Sequence, residues 1–165
     1  MPTQTVKLLP TSHGLSPEAR AEVIPMLQAS LADALDLYTQ LKQAHWNIKG
    51  PGFIALHKLF DEAAGEAEEW VDELAERIVE LGGLARGTAR AAAAESRLPA
   101  YPAGITAERD HLRAVVGALS AFAASARAAI DEAADACDAG TADLFTQISR
   151  GVDKHLWFVE AHLHG

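Results

Sequence analysis

The chain has 165 residues, 49% hydrophobic and 22% charged, and a formal net charge of -9 at pH 7. That length and balance suit one globular domain with a sizeable core and exclude a disordered chain. The one cysteine, Cys137, excludes an internal disulfide framework and a thiolate zinc cage, and the acidity repels nucleic-acid phosphate unless a separate basic arm supplies cations.

Residues 1–15 are polar and proline-containing and are expected to form a flexible tail; residues 16–165 form the domain. "MPTQTVKLLPTSHG" has no apolar run behind a basic patch, so no signal peptide is expected, and a cytoplasmic location without a membrane span is the economical reading. Ser16-Pro17-Glu18 is a helix start, with a serine cap, proline at the first helical position and an acid in the first turn. An amphipathic helix is predicted from there to about Trp46, carrying Leu27, Leu31, Leu35, Tyr38 and Leu41, with Pro25 expected to kink it or delay its start. Gly50-Pro51-Gly52 then breaks the chain.

A second helix is predicted from about Phe53 to Leu81, ended by Gly82-Gly83. An alanine-rich connector follows, with room for one short helix before Pro99 and Pro102. A third helix is predicted from about Thr106 to Asp135, and a fourth from Thr141 to the C-terminus. Four long helices with one long middle connection make an all-α fold, a four-helix bundle with a crossover in the ferritin-like arrangement.

The second helix carries one arrangement twice. His57 and Asp61 stand four residues apart, and so do Asp72 and Glu76. A helix advances about 100° and about 1.5 Å per residue, which puts all four on one face but separates the pairs by roughly 16 Å. No single ion spans that distance. If the helix meets a copy of itself antiparallel across a two-fold axis, with His57 facing Glu76, the sequence numbers of facing residues total 133, and Asp61 then faces Asp72. The axis passes near Glu66 and Ala67, beside Gly65, and two equivalent sites result. His45 lies six residues before Pro51 and His57 six after it, so a hairpin brings both to similar height. Two imidazoles and three carboxylates without sulfur suit iron, and also zinc or manganese.

Beside the metal-binding face runs an apolar stripe of Leu56, Leu59, Phe60, Ala63, Ala67, Trp70, Leu74 and Ile78. Glu62, Glu66, Glu69, Glu73 and Glu80 form a third, acidic face, which reads as a solvated surface or as a cation-collecting wall. Glu68 is an extra acid in the proposed interface and needs a cation, a proton or a partner from another chain.

"KQAHWNIKGPGFIALHKLFD", "VDELAERIVELGG" and "GTADLFTQISRGVDKHLWFVEAHL" resemble the Dps family, the starvation-induced mini-ferritins, and the likeness covers nearly the whole chain from about residue 16. The spacing His-x11-His-x3-Asp-x10-Asp-x3-Glu is matched without a gap by His45, His57, Asp61, Asp72 and Glu76. The resemblance implies a hollow homododecamer of four-helix subunits, each with a short extra helix in the long middle connection. It implies ferroxidase sites at two-fold interfaces, built from these five residues, that oxidise Fe(II) with hydrogen peroxide or oxygen and store ferric mineral. Zinc is a possible substitute for iron. By the same resemblance Trp46 is a quencher of stray oxidising equivalents, the alternative being an aromatic that closes the helix hairpin, and Asp143, with Asp138 nearby, marks an iron-entry pore where Gly140 replaces a common acid.

The sequence departs from DNA-binding members, which use lysine-rich tails. The first twenty residues hold only Lys7 and Arg20, offset by Glu18, and the C-terminus "EAHLHG" holds neither lysine nor arginine. Tight direct DNA binding is not expected; a nucleoid-protecting protein with secondary iron oxidation is the alternative, and a purely structural shell the third option. Arg86, Arg90 and Arg97 are the one basic cluster, read as a surface feature. A di-iron site within one bundle would need two Glu-x-x-His motifs, and only Glu108 to His111 provides one; interface haem would need a placed methionine, and Met1 and Met26 are the two available. His155, His162 and His164 are read as surface or interface groups rather than an accessory metal site.

Overall fold

The structure, a computed structural model, describes residues 7–164. Among them are five helices and no strand: α1 Pro17–Asn47, α2 Phe53–Glu80, α3 Ala89–Glu95, α4 Glu108–Asp135 and α5 Ala139–Ala161. The antiparallel hairpin of α1 and α2 and that of α4 and α5 make the bundle, joined through α1 against α4 and α2 against α5, while α3 lies on α1. The all-α, four-helix arrangement with a short helix in the crossover is therefore as expected.

Local chemistry sets the ends. The Ser16 hydroxyl accepts from the Ala19 amide at 3.1 Å, as the capping reading required. Pro25 does not delay α1, which is already helical at Pro17; the proline sits on the exposed side, where solvent can satisfy the carbonyl it leaves unpaired. α5 begins two residues earlier than expected because Asp138 caps it, taking Gly140 into the first turn.

Three large aromatic side chains, Phe60, Phe122 and Phe145, anchor the core with Leu27, Leu31, Leu37, Leu41, Leu56, Leu74 and Ile78. The α2 stripe is buried as its periodicity requires, with Leu59 partly so. Among the described residues α4 is the one helix long and apolar enough to cross a bilayer by length and composition, but here Leu112, Val115, Leu119 and Phe122 face the bundle core. At about 25 cal/mol per Å², each such side chain contributes about 1.5–3 kcal/mol by its burial.

Buried polar groups on α1 fasten the crossover. The Asp33 carboxylate, 1% exposed, accepts from the Arg97 amide at 2.7 Å and from its guanidinium at 2.7 and 3.0 Å. Ser96 donates to Asp36 at 2.6 Å, Gln40 to the Pro99 carbonyl at 3.0 Å, and Gln28 exchanges two bonds with the Arg86 backbone. Arg86 also pairs with Glu95. Two of the three connector arginines, Arg86 and Arg97, are exposed, as a surface feature requires, and each is engaged with a carboxylate of the same chain.

The expected mobile tail is in part docked. Leu8 and Leu15 pack against the core, and the Leu9 amide donates to the Gly82 carbonyl at 2.8 Å. Gly82 has φ +85°, and a Cβ there would lie 2.7 Å from the Leu9 carbonyl oxygen, so both the turn after α2 and the docked strand of chain require glycine. Residues 1–6 of that tail lie outside the described residues.

Candidate metal centre

His45 occupies the last turn of α1 and His57 the second turn of α2, brought together by the turn at Gly50–Gly52. The turn is fixed from outside: the Gly52 amide donates to Glu108 Oε2 at 2.8 Å, tying the hairpin to the start of α4. The two imidazoles stack at 3.8 Å with 19° between their planes. His45 Nδ1 lies 2.7 Å from the His57 carbonyl oxygen, and His57 Nδ1 lies 2.8 Å from the His45 carbonyl oxygen. A carbonyl only accepts, so both Nδ1 atoms carry the proton and donate. With Nδ1 so engaged, Nε2 is the nitrogen of each ring left to a metal, the arrangement by which outer hydrogen bonds orient a ligating histidine.

Asp61 stands one turn after His57, with Oδ1 at 3.8 Å from His45 Nε2. Sequence reasoning missed its neighbour. Lys42 Nζ donates to the same Oδ1 at 2.6 Å. That hydrogen bond, helped by the charges of His45 and Lys42 against a smaller desolvation effect, holds the Asp61 carboxyl below the usual carboxylate range. The signal was available: Lys42 is one turn before His45 and Trp46 on the same helix. Its ammonium also lies 5.9 Å from the centre of the Trp46 ring, which is 66% exposed.

Asp72 and Glu76 are exposed farther along α2 and do not reach this group. Among the described residues no three His, Cys, Asp or Glu side chains of one chain gather closely enough to hold an ion. Glu76 instead borders an open depression of about 500 Å³ with Ala75, Val79, Glu80 and Ala85. Exposed apolar side chains sit at both ends of α2, Phe53 and Ile54 at one and Val79 at the other.

The acidic face of α2 is not uniformly solvated. Glu66 Oε2 bonds His155 Nε2 of α5, and Glu73 accepts from Gln147 at 3.3 Å while burial raises its carboxyl. His155 is fully buried within the chain, contrary to its reading as a surface or interface group, because Gly151 lets α5 approach closely: a Cβ there would come within 2.7 Å of both Glu66 Oε1 and Trp70 Cζ2. His162 and His164 are exposed. Glu62, Glu68 and Glu69 are also exposed.

The two pore candidates differ. Asp143 is exposed on α5, whereas Asp138 is 2% exposed. Asp138 accepts from the Thr141 amide at 3.0 Å and its hydroxyl at 2.5 Å, and pairs with Arg77 at 2.9 Å. Burial pushes its carboxyl up, but these bonds and the arginine outweigh it and hold the group low. Within the chain Asp138 caps α5 from the core side.

Residues 24–165 match the family model described as a ferritin-like domain. The chain is 44% identical over 153 residues to the DNA protection during starvation protein of Agrobacterium fabrum, covering 93% of this chain and 94% of that one. DpsA14 from Streptomyces coelicolor superimposes with a TM-score of 0.91 at 35% identity, over 98% of this chain and 95% of that one. The tetragonal form of Mycobacterium smegmatis Dps gives 0.89 at 31% identity, over 95% and 96%. Similarity of this extent in both sequence and backbone shows that the chain is a member of the Dps family of ferritin-like proteins.

Proposed function

We propose that the protein is a ferroxidase and iron store, whose oxidising centres are completed between two copies of the chain. The observation that carries this reading is the reciprocal bonding of His45 and His57, which frees two Nε2 donors beside Asp61. In the antiparallel register that sets His57 opposite Glu76, the Asp72 and Glu76 carboxylates of a second copy approach these donors. The exposed apolar residues support the same register. Ile54 falls opposite Val79 and Phe53 opposite Glu80, so the apolar start of α2 meets the depression beside Glu76. The assembly we infer is the family's dodecamer, with Fe(II) and hydrogen peroxide, or oxygen, as substrates.

In this reading the Nδ1 bonds leave the Nε2 atoms of both imidazoles facing the metal as its nitrogen donors. The carboxylates offset the charge gained on oxidation. Two Fe(II) ions supply both electrons that reduce hydrogen peroxide to two waters, with two protons taken up, so no hydroxyl radical is left. Zinc fits the same donors as a redox-inert competitor. Asp143 is the carboxylate we assign to iron entry, and to Trp46, exposed beside His45, we assign the donation of an electron to an oxidant formed there.

The test is stopped-flow oxidation of Fe(II) by peroxide. His45→Ala and Asp72→Ala proteins should each be nearly inactive, and a dissociated and reassembled mixture should regain part of the activity, because one of the two sites at each mixed interface holds both intact halves. Full activity in either single variant would sink the reading. The alternative, DNA protection by direct binding, has less support: the net charge is -9 and Arg86 and Arg97 are paired internally. Metal-free protein is expected not to retard DNA at sub-micromolar concentration in a gel shift at ordinary salt.

A further inference from the structure

Tyr101, in the connector before α4, and His111, in the first turns of α4, form a couple that the iron chemistry above does not use. The phenolic oxygen lies 2.6 Å from His111 Nδ1. His111 is 1% exposed, and its Nε2 has no protein partner among the described residues. Burial pushes the Tyr101 phenol up to about 12. Desolvation likewise lowers His111, opposed by Asp110 and aided by Lys49. At neutral pH both groups are therefore uncharged. The tyrosine hydroxyl finds an acceptor only if it donates to Nδ1, so the proton of the neutral imidazole sits on Nε2. His111 follows Glu108 by one turn, and Glu108 holds the Gly52 amide. The couple thus stands at the end of the bundle that carries His45 and His57.

We propose that Tyr101 and His111 form a proton-coupled one-electron donor that intercepts oxidising equivalents escaping from ferrous iron and hydrogen peroxide. The source of those equivalents rests on the ferroxidase reading; the redox competence of the couple does not. A hydroxyl radical, produced when one Fe(II) gives peroxide a single electron, is reduced to hydroxide by an electron that originates at Tyr101. The phenolic O–H bond breaks, and its proton moves along the existing hydrogen bond to Nδ1, leaving a neutral tyrosyl radical and an imidazolium. Loss of the electron without the proton would create a strongly acidic buried phenol cation, so the adjacent base lowers the barrier. The proton has no onward protein acceptor at Nε2 and stays beside the phenoxyl oxygen. An electron from a further Fe(II) then restores tyrosine as the proton returns, making the donor reusable.

The chain has two tyrosines, Tyr38 and Tyr101, which makes the test clean. Freeze-quench electron paramagnetic resonance after adding Fe(II) and peroxide should show a tyrosyl signal in wild-type protein and in Tyr38→Phe, lost in Tyr101→Phe. In His111→Asn the signal should fall severalfold while the rate of iron oxidation is unchanged. A second arm uses metal-free protein and a photogenerated ruthenium(III) tris-bipyridine oxidant. Tyr101 oxidation should show a deuterium isotope effect that disappears in His111→Asn. Failure of iron oxidation with a positive photochemical arm would overturn the ferroxidase reading and the iron-derived source, but not the couple. A tyrosyl signal that survives Tyr101→Phe, or a yield and isotope effect indifferent to His111→Asn in a protein with an unchanged melting temperature, would overturn the couple itself.

Discussion

Lys42 Nζ donates to Asp61 Oδ1 at 2.6 Å, so an ammonium occupies one lone pair of a carboxylate assigned to the proposed iron centre. A cation bound at Asp61 meets the repulsion of this ammonium and competes with it for Oδ1. Lys42→Met, which keeps the stem that packs near Trp46 but removes the charge, is expected to tighten ferrous binding at the Asp61 side by a factor of about 2–5, the scale of an exposed ion pair. Isothermal titration under anaerobic conditions reads this directly. Weaker binding in Lys42→Met would show that the lysine assists the site instead.

The antiparallel register can be checked without iron. Ile54 and Val79 lie at opposite ends of α2, roughly 37 Å apart along one helix, and so cannot be bridged within a chain. In a Cys137→Gly background, Ile54→Cys combined with Val79→Cys is expected to form a disulfide between copies on mild oxidation, since bridging needs Cα atoms within about 7 Å. Non-reducing gels should show covalent dimers for the double variant and none for Val79→Cys alone. Monomers throughout would rule out the register and with it the shared centre.

Cys137 adopts φ +61° after the last turn of α4, a left-handed conformation that costs a residue with a Cβ about 1 kcal/mol. The side chain is exposed, so little packing is lost with it. Cys137→Gly should therefore stabilise the fold by about 0.5–1 kcal/mol, raising the thermal midpoint by about 1–4 °C. An unchanged or lowered midpoint in calorimetry would contradict this.

Gly151 is the reverse case. A methyl group there meets Glu66 Oε1 and Trp70 Cζ2 at 2.7 Å, and Trp70 is buried. Gly151→Ala should push α5 from α2, break the Glu66–His155 bond and destabilise by about 1–3 kcal/mol. Chemical denaturation measures the loss, and wild-type stability would mean that Trp70 repacks freely.

Asp138 sets an acid limit. Its carboxyl is held low in the fold by Thr141 and Arg77 in spite of burial. A depressed folded value means that its stabilisation is fully present above the ordinary carboxylate value and is lost as pH falls through the lower, folded one. Asp138→Asn should destabilise at neutral pH by about 1 kcal/mol or more through loss of the cap, and the difference from wild type should shrink below about pH 4. A difference constant down to pH 2 would assign the effect to packing.

The sequence by itself determined the helices, the apolar stripe of α2, and the spacing of His45, His57, Asp61, Asp72 and Glu76. These follow from the period of the helix and from local signals at Ser16, Gly50–Gly52 and Gly82, which act over a few residues. The expectation of a surface or interface His155 failed because its burial depends on Gly151 admitting α5 against α2, a contact between residues far apart in the chain. The burial of Asp138 as a helix cap and the pairing of the exposed Arg97 depend on such contacts too. The Arg77 and Asp33 partners lie 61 and 64 residues away. Tertiary structure alone decided which histidine nitrogens are free: only when the α1–α2 hairpin closes do the His45 and His57 carbonyls come within reach of the opposing Nδ1 atoms. Spacing can place a ligand on a helix face, but its protonation and its competitor, here Lys42, are set by atoms that folding brings alongside.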